Sequence, residues 1–460
     1  MSAHDESARA RGDIDPRELA YDLVARARAA GARAADAMAA EGDGLAVSVR
    51  LGEVEKLTRS RQRRAGLRVF VGDATAIVST ADFSPEGLAA LARDAVALAR
   101  TTTPDPHAGL PDPAELAGAQ PDLDLHDPAI ERLEPEQALA WARDAEAAAL
   151  AAAPEITNSE GAEFGADAGL VAYASSLDFA GAYAGSSASL AVVPVATRDG
   201  AMQRDSWYTA HRKLAALEPP AEVGREAARR ALRRLGARRP STCTCPVVFD
   251  PETAASLLRH LAGAIAGSAL YRRMSFLLDC LGEQVASDAV TVVDDPLRPA
   301  GPASRPFDGE GVRQERRVVV ERGVLRSYLL DSYSARRLGL RTTGHAARSV
   351  GDAPGVAPTN FVLEPGPHAP EAIIASVRSG LYVTELIGFG VNPVTGDYSR
   401  GAVGLWIENG ELAHPVEELT IAGNLRGMLR DIEMVGSDLR LRSAIAAPTL
   451  KIARMTVAGA

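Results

Sequence analysis

Lysine is nearly missing from this 460-residue chain: Lys56, Lys213 and Lys451 are the only three, and arginine carries the rest of the positive charge. Lys+Arg number 50 against 60 Asp+Glu, a formal net charge of −10. So acidic a chain is a poor candidate for a dedicated nucleic-acid binder, because phosphate contacts need a basic face. Cysteine is equally scarce. Cys243, Cys245 and Cys280 form an odd, sparse set, which argues against a disulfide scaffold and fits a reducing cytoplasm. No apolar run approaches the roughly 18 residues that a membrane-spanning helix needs. The first twenty residues are polar and charged, without the apolar stretch of a secretory signal.

Several motifs are also missing. There is no Gly-Lys pair and hence no P-loop. Gly388-Phe-Gly390 continues as Val-Asn-Pro, which breaks a dinucleotide fingerprint, and no G-x-S-x-G nucleophile elbow occurs. None of the eight histidines lies within five residues of another, so no local zinc pair of the H-E-x-x-H kind forms.

What is present reads as an α+β chain, with an N-terminal α/β region of two subdomains followed by a β-rich C-terminal domain. After a polar tail over 1–15, the first subdomain spans 16–110. It opens on an Ala/Arg-rich helix expected from Pro16 to Ala40, then strands over 45–51, 67–71 and 74–80, the last two joined at Gly72-Asp73. Ser84 caps a second helix with Pro85 at its first position. A Pro-rich connector covers 111–134. The second subdomain, 135–240, holds a helix from Pro135, strands from 165 to 211 with turns at Gly181 and Asp199-Gly200, and an Arg-rich helix from Leu217 to Gly236. The third region, 241–460, begins with Pro246-Val-Val-Phe249 and a helix capped by Asp250 and Pro251, whose apolar stripe is Ala254, Leu257, Leu258, Leu261 and Ile265. Strands and Gly-rich loops follow, with a helix expected over 421–433 and a last strand over 450–457.

Three features invite function. Cys243-x-Cys245 has too few ligands for a metal and reads as a chance pair. Arg225, Arg229 and Arg233 fall on one helical stripe, which reads as a solvated face. The stretch from Thr384 to Gly401 leaves a strand, makes Asn-Pro and Thr-Gly-Asp turns and enters another. Its residues admit two readings, an edge that binds an extended peptide or a long hairpin whose glycines only satisfy turn geometry.

Along these segments the sequence resembles the TldD/PmbA family, long labelled modulators of DNA gyrase and also classed as metallopeptidases. The likeness includes Gly66-Leu-Arg-Val-Phe, Arg273-Met-Ser-Phe-Leu277, Val292-Val-Asp-Asp-Pro296, Phe307-Asp-Gly-Glu-Gly311, Val394-Thr-Gly-Asp-Tyr-Ser399, Ile421-Ala-Gly-Asn424 and Met455-Thr-Val-Ala-Gly459. Their order and spacing, more than any one piece, make the resemblance specific. It implies two branches that pair as a heterodimer. TldD-like chains carry a His-Glu-x-x-x-His helix and a cysteine near the C-terminus that together hold a catalytic metal; PmbA-like chains, also called TldE, lack them.

In that register the positions of the two histidines and the glutamate are Arg259, Ala264 and His260 here, and the stretch 438–448 has no cysteine. A zinc peptidase needs about three protein ligands and a carboxylate to take a proton from water. Arg259 is a permanent cation, Ala264 has no donor atom, and positions 259 and 264 point about 140° apart on a regular helix. No catalytic residue and no metal ligand are therefore expected in this chain. The resemblance implies a non-catalytic TldE/PmbA-type subunit in a cytoplasmic complex with a TldD-like partner that holds zinc or a similar divalent metal. It implies unfolded or leader peptides as substrates. Gly388, Gly390, Asn392, Asp397, Tyr398 and Ser399 are the candidate cleft or interface residues. Alternatives are an active peptidase with unrecognised ligands, a regulatory protein of gyrase, and a homodimer without a metal-bearing partner.

Overall fold

The computed structural model describes residues 15–459. The polar tail lies outside the described residues except for Asp15, whose carboxylate accepts from the Arg17 amide and caps the helix Pro16–Ala29. That helix stops well short of residue 40. Gly31 turns the chain at φ +104°, and Ala34 begins a strand. The run Ala34–Ala40 is alanine-rich enough for either state, and its pairing with two neighbouring strands decides the matter.

The N-terminal half is built on one antiparallel sheet of seven strands. Its long members are β1 (Ala34–Arg50), β2 (Glu53–Val71), β4 (Ile156–Ser175) and β5 (Phe179–Arg198), with the shorter β3 (Ala74–Thr80), β6 (Ala201–Arg204) and β7 (Trp207–His211). β1 pairs β4 directly, from Asp36 opposite Ser175 to Val49 opposite Ala162. The segments before and after the connector thus share one sheet. Each still has its own apolar cluster. Helices Pro16–Ala29 and Pro85–Ala99 cover Ala35, Ala37 and Ala39 of β1, while helices Pro135–Leu150 and Pro220–Leu232 cover Leu45, Val47 and Val49. All six positions are odd, so both helix pairs lie on the same face. The first half of β2 was not legible as a strand. Its residues Glu53–Arg59 are exposed along the free edge beyond β3, and their charges suit an edge that must not pair with other chains. The chain turns between β4 and β5 at Asp178 (φ +59°), not at Gly181.

The opposite face of the sheet meets the C-terminal region through a buried ion cluster. Arg68 donates to Asp36 through Nε (3.0 Å) and to Glu310 (3.1 Å), and Arg348 donates to Asp36 (2.9 Å). The connector is irregular apart from one turn at Pro113–Glu115 and another at Pro128–Glu131. Arg336 fixes the segment just before it by donating to the carbonyls of His107, Gly109 and Leu110.

The C-terminal region centres on a six-stranded sheet in the order 411–424, 397–408, 379–387, 243–249, 450–458 and 432–435. Strand Glu411–Asn424 also pairs Leu450–Ala458, which curls the sheet toward closure. Strand Ser379–Ile387 runs parallel to Cys243–Phe249, and the helix Pro251–Ala264 packs into the same core. The helix expected over 421–433 is mostly something else. Residues to Asn424 belong to a strand, Leu425–Arg430 make a short helix, and Ile432 starts another strand.

The Arg-rich helix is only partly a solvated face. Arg225 and Arg229 are exposed and pair with Glu222 and Glu226 one turn back. Arg233 instead turns inward with Arg230 and Arg234 around Asp205. Cys243 and Cys245 are free thiols, and burial pushes the Cys245 thiol up to about 12, which keeps it protonated and inert.

Candidate functional site: a cationic cleft between a helix and a hairpin

The helix Pro251–Ala264 starts where Asp250 accepts from the Thr253 amide (2.9 Å), with Pro251 at its first position. Its stripe Ala254, Leu257, Leu258, Leu261 and Ile265 is buried in the core. That orientation leaves Arg259, His260 and Gly263 on the outer side. Ser275 donates to the Ala264 carbonyl (2.6 Å) and accepts from the Leu277 amide (2.9 Å), tying the end of the helix to the following loop.

The Gly-rich stretch is a hairpin between the strands Ser379–Ile387 and Asp397–Glu408. Gly388 and Gly396 adopt φ +78° and +83°, which favours glycine. At Gly390 any Cβ would overlap the Ser399 carbonyl oxygen, and that carbonyl group belongs to the residue whose amide donates to Gly390 (2.7 Å). Asn392 accepts from the Val394 amide (2.9 Å). Asp397 accepts from Thr395 Oγ1 (2.6 Å) and Asn424 Nδ2 (3.1 Å), which hold its carboxyl below the usual range. Gly390, Asn392, Asp397 and Ser399 therefore shape the loop. Gly388 borders the cleft, and Tyr398 lies buried beneath its helical wall.

Helix and hairpin enclose a cleft of about 440 Å³. Arg259 and His260 come from the helix, Arg272 and Phe276 from the loop after it, Phe389 and Arg400 from the hairpin. The Phe276 amide donates to the Pro393 carbonyl (2.8 Å) and joins loop to hairpin. Phe389 is 99% exposed at the rim. Arg259 and Ala264 both border the cleft in spite of their divergent directions, because it wraps around the last helical turn.

The cleft is cationic. Arg259, Arg272 and Arg400 form no ion pair among the described residues, Arg400 donating instead to the Leu386 carbonyl, and no carboxylate lines the walls. Partial burial, with Arg400 and Arg259 close by, holds the His260 imidazole below its ordinary range, hence neutral. Burial pushes the Tyr398 hydroxyl up to about 12. His260 Nε2 is buried without a hydrogen-bond partner, and the Tyr398 hydroxyl sits with the Arg400 side chain.

These residues do not fit a catalytic divalent metal. One imidazole among three guanidiniums supplies at most one ligand and a repulsive field. Among the described residues no group of three His, Cys, Asp or Glu side chains is placed to hold a metal. Residues 438–448 contribute nothing to the cleft; there Asp438 caps Thr449 (3.0 Å) and Arg442 stacks on Trp207 at 4.3 Å. Arg272, Arg400, Phe276 and Phe389 were not singled out from the sequence, although three of them sit within quoted segments. The signal available was arginine beside glycine and phenylalanine, which is also what an ordinary surface loop contains.

Comparison with known proteins places this architecture. Sequence models of the PmbA/TldA metallopeptidase match residues 35–99 as domain 1, 128–235 as the central domain and 242–459 as the C-terminal domain. "Metalloprotease PmbA" of Escherichia coli O157:H7 is 42% identical over 416 residues, 90% of each chain. Among solved structures, a candidate modulator of DNA gyrase from Bacteroides thetaiotaomicron aligns with TM-score 0.90 at 28% identity, over 96% of this chain and 99% of that one. TldE from Thermococcus kodakarensis shares the fold, with TM-score 0.87 at 20% identity over 96% of this chain and 100% of that one. The long sheet, the connector and the curled C-terminal sheet define a protein of the metallopeptidase-related class. The chain belongs to the PmbA/TldD family.

Proposed function

We propose that this chain is the non-catalytic, TldE-type subunit of a two-chain peptidase, and that a TldD-like partner carries the zinc or similar divalent metal. The observation behind the reading is the cleft itself. The helix that should present metal ligands presents Arg259, His260 and a buried Ala264 instead. The chain's part is to complete the enclosure around the partner's site. The apolar rim of Met274, Ile387, Phe389 and Val394, exposed by 49%, 52%, 99% and 46%, is the wall that the partner covers. A permanent interface buries well over about 1,000 Å² and is more apolar than ordinary surface. The substrates are unfolded or leader peptides, and the complex works in the cytoplasm. No helix among the described residues is long and apolar enough to cross a membrane.

The test is reconstitution. The single chain is purified, analysed for metal and assayed on unfolded peptide, then mixed with the TldD-like chain from the same host. Co-elution, with activity only in the mixture, is expected. Separate elution with a fully active partner alone sinks the proposal.

A second reading follows from the name of the Escherichia coli relative, which puts the protease in the PmbA chain itself. It requires about one metal per purified single chain, lost together with an activity on chelation. Elemental analysis separates the two.

A further inference from the structure

We propose that the cleft between the helix Pro251–Ala264 and the 388–396 loop captures the free carboxylate end of a short peptide whose last residue is bulky and apolar. Three observations converge. First, the charge is one-sided. Arg259, Arg272 and Arg400 face one cavity without a carboxylate among its lining residues, in a chain whose net charge is −10. Unpaired guanidiniums gathered in a concave site raise the local concentration of anions, and their planar forks match a carboxylate in two-point contact.

Second, polar groups lie beside the wall. Tyr398 is 1% exposed and its hydroxyl sits with the Arg400 side chain, while His260 Nε2, on a residue that lines the cleft, has no hydrogen-bond partner. A buried polar atom left without a partner is costly, so that imidazole fits a ligand that completes it. The imidazole is neutral there, so its ring N–H can donate to a bound carboxylate without adding a charge.

Third, the remaining lining is apolar. Met274, Phe276, Phe389 and Leu425 line the same cavity. A bare inorganic anion gains nothing from that wall, whereas an apolar terminal side chain buries against it at roughly 25 cal/mol per Å². The volume of about 440 Å³ is within the range of small-ligand pockets and holds a few residues. The choice of a peptide rests on the function proposed above; the choice of a carboxylate rests on the charges alone.

The experiment is calorimetric titration of the full single chain with Ala-Ala-Ala-Phe as the free acid and as the C-terminal amide. The free acid is expected to bind one to one, and the amide about tenfold or more weaker, as fits loss of a charge-assisted contact. Arg272→Gln and Arg259→Gln, both on exposed residues that leave the core untouched, should each weaken the acid severalfold and leave the amide unchanged. Added salt should weaken the acid selectively. Equal binding of acid and amide, no binding up to millimolar peptide, or variants without effect would each overturn the inference. Failure here is separable from failure of the two-chain reading. Carboxylate-selective binding by a chain that never assembles with the partner upholds this inference alone, and assembly without carboxylate selectivity upholds the other alone.

Discussion

His260 packs its ring edge-on against Tyr398, with 6.1 Å between centroids and 82° between the planes. The contact joins a helix and a hairpin 138 residues apart in sequence and sets what the helix can do. An imidazole held against an aromatic edge, with Arg400 and Arg259 nearby, is a packed and neutral group. Alone it supplies at most one of the ligands that a catalytic zinc needs.

That environment gives the first expectation. Partial burial, Arg400 and Arg259 all disfavour the imidazolium, so His260 should titrate below the ordinary 6.5. The sign follows directly. The unfolded chain takes up the proton first as pH falls, so this group costs the fold stability from the ordinary value down to its own lower one. Imidazole proton resonances followed by NMR should show one histidine with a depressed midpoint. Arg400→Gln should raise it. A midpoint at or above the ordinary value in the unmodified chain contradicts the description.

The ion cluster between the N-terminal sheet and the C-terminal region gives the second. Burial opposes ionisation of Asp36, but Arg348 and Arg68 outweigh it and hold its carboxyl below the ordinary 3.8. Its contribution to stability is present above that value and is lost only as pH falls through the lower one. Asp36→Asn leaves Arg68 and Arg348 partly uncompensated in a dry site and should cost about 3–5 kcal/mol. Denaturant unfolding followed by circular dichroism checks this. A loss under about 1 kcal/mol, the scale of an exposed pair, contradicts a buried, dry cluster.

Some of this was legible in the sequence and some was not, for physical reasons. Ser84-Pro85 and Asp250-Pro251 announced helix starts because capping is local chemistry. Gly72-Asp73 and Asp199-Gly200 announced turns for the same reason. The edge half of β2 stayed hidden because its charges break the alternation that marks a half-buried strand. The run after Gly31 misled because alanine favours a helix until sheet partners, distant in sequence, override it. At the cleft, the degenerate helix and the Gly-rich hairpin were each visible. Their meeting was not, since nothing local in Arg259 or Arg400 says that they share a wall.

Gly390 supplies a third expectation. A Cβ there would overlap the backbone carbonyl oxygen of Ser399, which a rotamer change cannot relieve. Gly390→Ala should open the base of the loop and cost about 1–3 kcal/mol, the scale of overpacking. Gly263→Ala is the control, because nothing lies within 4 Å of its Cβ position and alanine is the better helix former. Thermal melting should show the first variant falling and the second level or slightly raised. Equal melting temperatures mean that the hairpin relaxes freely.

Rebuilding the family's metal motif is the fourth. Arg259→His, His260→Glu and Ala264→His restores His-Glu-x-x-x-His on a helix that already borders the right cavity, and it should still yield no peptidase. Ala264 is 2% exposed and belongs to the core, and its carbonyl already accepts from Ser275, so an imidazole there must displace packed neighbours. The cysteine position is still empty of thiols, as 438–448 has none, and the hydrogen bonds that orient metal ligands are missing with it. Arg272 and Arg400 remain as cations facing the site and oppose a divalent ion at close range. Peptide hydrolysis with added zinc is the assay, with elemental analysis alongside. Weak zinc uptake without turnover is the expected result, improved by adding Arg272→Gln and Arg400→Gln. Chelator-sensitive turnover by the triple variant would show that a cysteine-free site in this cleft suffices, and that the chain stands closer to an enzyme than its arginines indicate.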